Sequence, residues 1–94
     1  MTPEEEIRRA GRAKMILDDE LFKEAVAEIE ETLKQARLQS AATATDFREK
    51  IWAQELALDT ILQKLKTHIE TGHLAAEEIR RRTLMERAQE FFQQ

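Results

Sequence analysis

The segment from Phe47 to Ile69 constrains this chain most. Phe47, Ile51, Leu58, Leu62, Leu65 and Ile69 recur three, four or seven residues apart. At 3.6 residues per turn they fall within about 60° of one another, which is the stripe of an amphipathic helix. Trp52 and Leu56 lie about 120° and 160° from Leu58 on the same wheel, so they form a second apolar patch. A helix with two apolar faces needs two partners.

The rest of the chain offers one partner clearly. Phe22, Val26, Ile29, Leu33 and Ala36 follow a four-three-four-three spacing, the pattern of a heptad seam. Between the two stripes lies Gln39-Ser40-Ala41-Ala42-Thr43-Ala44-Thr45, which has no large apolar side chain. Two amphipathic helices joined by so short a connection pack as antiparallel neighbours. The expected fold is therefore all-α: an antiparallel helical hairpin of about 20–39 and 46–71, with short N- and C-terminal flanking helices. Residues 1–94 form one domain, divided into a flanking helix at 1–17, a hairpin core at 18–71 and a C-terminal helix at 73–94.

Local signals set these boundaries. Thr2 caps the first helix, Pro3 suits its first turn, and Glu5 completes a capping box. Asp18-Asp19-Glu20 reads as a restart, because either Asp can cap a new helix. Thr43 with Asp46 is spaced as a capping box for the third helix, and Thr45 is the rival cap. Gly72 reads as that helix's left-handed C-terminal residue. After it, Leu74, Ile79, Leu84, Met85, Ala88, Phe91 and Phe92 suggest a fourth helix, interrupted by Arg80, Arg81 and Arg82.

Composition agrees with helices. Charged residues make up 36% of 94, with two Gly and one Pro. Glu, Lys, Arg, Ala, Leu and Gln lose little on entering a helix. A chain of this size buries only about two thirds of its unfolded surface, so its own core is modest. There is no cysteine, which excludes a disulfide framework and thiolate sites. No signal region follows the acidic N-terminus. No apolar run approaches the roughly 20 residues that span a membrane. The expected setting is the cytoplasm.

Little here resembles catalytic chemistry. His68 and His73 flank Gly72 five residues apart, which is not a helical ligand pair, and no soft ligand joins them. No serine sits in a nucleophile elbow, and neither glycine belongs to a phosphate-cradling loop. No cofactor, metal or small-molecule substrate is expected.

The charge is −4 overall but unevenly placed. Glu20, Glu24 and Glu31 lie on the face opposite the second helix's stripe, as a solvated surface or as a site for a basic partner. Arg8, Arg9 and Arg12 form one basic cluster and Arg80, Arg81 and Arg82 another. Either could meet phosphates, although the acidic total and the absence of a helix-turn-helix argue against broad nucleic-acid binding. Trp52, Leu56, Phe91 and Phe92 are the candidates for an oligomer interface, since Trp is the residue type most enriched at interface centres; cover of Trp52 and Leu56 by the chain's own first or last helix is the equal alternative.

Two stretches carry a resemblance. Ala13-Lys14-Met15-Ile16-Leu17-Asp18-Asp19-Glu20-Leu21-Phe22 resembles the opening of short helical proteins encoded by tailed bacteriophages and prophages. Arg48-Glu49-Lys50-Ile51-Trp52 and Ile69-Glu70-Thr71-Gly72-His73-Leu74-Ala75 are similar to their second half. The resemblance spans about residues 10–76. It implies a phage setting near head and DNA-packaging genes, and it supplies no catalytic residues. Small terminase subunits, which form rings through helical hairpins, are one phage class of this size. The resulting expectation is a self-associating, non-enzymatic assembly module whose partner is itself or another phage protein. A small-terminase-like nucleic-acid adaptor and a small acidic phage inhibitor of a host protein are the alternatives.

Overall fold

The computed structural model describes residues 1–93. Among them it is all-helical: α1 is Pro3–Asp18, α2 is Glu20–Gln39 and α3 is Thr45–Gln93. The chain forms two compact units, one of residues 1–15 with 65–93 and one of residues 16–64.

The caps explain where the helices start and stop. The Thr2 hydroxyl accepts the Glu5 N–H at 3.2 Å, and Glu4, Glu5 and Glu6 occupy the first turn, where the helix dipole favours acids. Asp19 alone separates α1 from α2. Its backbone is extended, and its carboxylate accepts the Phe22 N–H at 2.8 Å. Ser40 ends α2: its N–H and its hydroxyl both donate to the Arg37 carbonyl, at 3.3 and 2.6 Å. The Ser40 hydroxyl also accepts from Arg48 Nε at 2.8 Å, which ties the end of α2 to the first turn of α3. The connection is closed by a turn from Ala41 to Ala44. α3 begins at Thr45, with the Ala44 carbonyl accepting the Arg48 N–H. Thr43 is therefore a turn residue, and the capping box expected of it with Asp46 does not start the helix.

In the 16–64 unit, late α2 residues meet early α3 residues. Arg37 Nε lies 3.3 Å from Glu55 Oε1, and a cleft of about 290 Å³ is lined by Leu33, Arg37, Glu55, Leu58 and Leu62 among others. Leu17, Phe22, Val26 and Leu62 line a groove in the same unit. Leu33 and Ile51 are buried. Each predicted stripe thus has one buried residue, and Ile29 and Phe47, placed on the stripes by spacing, stay about half exposed.

The 1–15 and 65–93 unit departs from expectation. α3 does not end at Gly72, and no separate helix follows over 73–94, whose final residue lies outside the described ones. No glycine among the described residues has positive φ, so Gly72 is not a left-handed cap. It is buried inside the helix. A Cβ there would overlap the Ala10 Cβ and lie 3.3 Å from the Glu6 carbonyl oxygen. Gly72 is thus the residue that lets α1 approach α3 backbone to backbone. Ala13 and Ala75 are buried in the same unit, consistent with a contact made by small side chains.

Gly11 differs. A Cβ there meets nothing within 4 Å. Gly11→Ala should stabilise the chain by about 1 kcal/mol through helix propensity alone, read as a higher urea midpoint with unchanged slope.

Candidate interaction surface

Ile51 points into the 16–64 unit and is buried. Each residue along a helix turns by about 100°, so Trp52 and Leu56 emerge on another side, about 100° and 140° round. Trp52 is 64% exposed and Leu56 48%. They lie one turn apart on α3 and form an outward apolar patch, as their spacing predicts.

In the other unit, every residue from Arg80 to Gln93 is exposed. Leu84, Met85, Phe91 and Phe92 are 50%, 65%, 74% and 83% exposed. The Phe91 and Phe92 rings touch edge to face, with centroids 5.6 Å apart and planes at 80°, a favourable aromatic geometry.

The two basic clusters, alike in sequence, differ in structure. Arg80 and Arg82 bond to Glu77 and Glu78, and Arg81 lies 3.7 Å from Glu77. The Arg80 hydrogen bond, with the charges of Arg80 and Arg81, holds the Glu77 carboxyl below its ordinary value, and Glu77 raises Arg80 in return. A lowered carboxyl keeps its pairing above the ordinary carboxylate range and loses it as pH falls through the depressed value. This pair is solvent-facing and helps the helix only slightly. Arg8, Arg9 and Arg12, by contrast, line one cleft of about 310 Å³ with Met1 and Glu5.

The acidic face of α2 is exposed as expected. Glu20 lies 3.8 Å from Lys23, and Glu31 accepts from Gln35 Nε2 at 2.9 Å. Glu24 shares that side. His68 is half-buried and lines a cleft with Glu6, Arg9 and Thr71. Among the described residues, no group of three His, Cys, Asp or Glu could hold a metal ion. No helix is long and apolar enough to cross a membrane.

Two features escaped the sequence reading. One is the Arg37–Glu55 cross-pair, which no local pattern announces. The other is the Gly72 contact, whose only sequence trace is the small residues Ala75 and Ala76 beside it and Ala10 and Ala13 on α1. No protein-family model matches the chain, and neither a curated protein nor a solved structure shows significant similarity to it.

Proposed function

We propose that this chain is a non-enzymatic helical assembly module that self-associates through α3. In this reading, α2 and the first part of α3 act as an antiparallel hairpin, and Trp52 and Leu56 join one copy to the next. The supporting observation is the exposure of Trp52, 64%, beside Leu56, 48%, one turn further along α3. Adjacent large apolar side chains on such a surface mark an interaction site. The resemblance over residues 10–76 gives the setting: virion assembly or DNA packaging in a tailed phage or prophage, with the chain in the host cytoplasm or the virion.

Trp52 is the only tryptophan, so its fluorescence reports the interface directly. Emission should be blue-shifted at high protein concentration and move red on dilution, with helicity unchanged. Water-exposed emission at every concentration would contradict the reading.

A second reading is a small-terminase-like nucleic-acid adaptor, favoured by the cleft that gathers Arg8, Arg9 and Arg12. Neutralising three phosphates gives a slope of about −0.9 per contact in log affinity against log salt, so duplex DNA binding should fall roughly 40-fold from 50 to 200 mM salt. Absence of a gel shift at 50 mM salt would dispose of it.

A further inference from the structure

Residues 80–93 extend α3 beyond its last packed residues, and their exposed apolar side chains share one side. Leu84, Ala88 and Phe91 repeat at four and three residues, with Met85 and Phe92 beside them. Together they span about 120° of the helix, a coiled-coil seam with one widened flank. Arg81 continues the seam one step earlier. Thr83, Glu86, Glu90 and Gln93 lie on the far side.

We infer that this terminal stretch pairs with the same stretch of a second copy, antiparallel, in the register that sets Leu84 against Ala88. The inference rests on the self-association proposed above and assigns it a second contact and a direction. Three observations select this occupant.

The first is area. Aromatic side chains present roughly 150–250 Å² each, so Phe91 and Phe92 offer on the order of 300 Å² per copy. With Leu84 and Met85, two copies together present about 1,000 Å² of exposed apolar side chain, near the lower bound for a specific interface.

The second is size complementarity. The antiparallel register sets large Leu84 on small Ala88 twice, about a two-fold axis, and brings Met85 beside its own equivalent. Such an isologous contact closes on itself.

The third is charge. A parallel pair would place Arg81 against Arg81 in the seam. The antiparallel register places it on the face of Phe91 instead, a cation–π contact. Arg87 then flanks its own equivalent at the solvent-facing rim, where like charges cost little.

The chain has no cysteine, so single cysteines report register cleanly. Leu84→Cys and Ala88→Cys proteins, carrying different tags, are mixed and oxidised. The antiparallel register predicts the mixed 84–88 disulfide dimer as the dominant product. Disulfides joining like positions, 84 to 84 and 88 to 88, would show a parallel pair and overturn the inference. Phe91→Ser with Phe92→Ser should weaken association at least about 100-fold, since two anchors are lost. Helicity of the rest should persist, because residues 80–93 are exposed.

If that variant assembles normally while Trp52→Ala with Leu56→Ala does not, the terminal pairing is wrong and self-association stands. A monomeric wild type brings down both. A monomer that co-floats with phosphatidylserine vesicles, and fails to when Phe91 and Phe92 are both replaced by Ser, would assign that face to the membrane interface and overturn the pairing.

Discussion

Gly72→Ala should destabilise the α1–α3 contact by roughly 1–3 kcal/mol, the usual cost of forcing extra volume into a packed site. The new Cβ would overlap the Ala10 Cβ, with the Glu6 carbonyl oxygen 3.3 Å away. Neither obstacle is the free end of a flexible side chain, so the helices themselves must separate. The substitution also brings about 1 kcal/mol of helix propensity, which offsets part of the cost. Gly11→Ala supplies the control, because it has that gain without a clash. The two glycines should therefore respond with opposite sign, Gly72→Ala lowering the urea midpoint and Gly11→Ala raising it. Ala10→Gly in the Gly72→Ala background moves the missing methyl to the other helix and should recover part of the loss. That coupling identifies the contact rather than a general effect on helicity. Amide exchange in α1 should quicken in Gly72→Ala before exchange in α2 does. A Gly72→Ala protein as stable as Gly11→Ala would show that the close approach is absent in solution.

Trp52→Ala with Leu56→Ala is expected to weaken self-association by two to three orders of magnitude. Anchors of this kind lose about 2 kcal/mol or more each on truncation, and each 1.4 kcal/mol is a tenfold change in affinity. Trp52 is largely exposed and Leu56 about half exposed within the chain, and alanine suits a helix. Far-ultraviolet circular dichroism should therefore be unchanged while the mass falls. Unaltered mass in the double variant would move the interface elsewhere.

These two sites differ in how far the sequence disclosed them. The outward placement of Trp52 and Leu56 was legible because a helix repeats locally: once Ile51 and Leu58 face inward, the angles of their neighbours follow. The first two helix starts were legible for the same reason, since Thr2 and Asp19 act on N–H groups three residues away. Gly72 was misread because a glycine admits two roles in a helix, stopping it or thinning it. The choice is made by Ala10 and Glu6, more than sixty positions away in sequence. Reading Gly72 as a stop also created a fourth helix where α3 continues. Phe47 sits in the first turn of α3, beyond the end of the α2 stripe at Ala36. Periodicity puts it on the packing face without supplying a side chain opposite it. The arginine clusters looked equivalent as composition, and only geometry separates Arg80–Arg82, bound to Glu77 and Glu78, from Arg8, Arg9 and Arg12, gathered at one cleft.

If copies of this chain cover one another's exposed α3 faces, sedimentation equilibrium will register it without any variant or label. The weight-average mass should rise with concentration to a whole multiple of the 11.0 kDa chain. A mass of 11.0 kDa throughout the micromolar to millimolar range would contradict it.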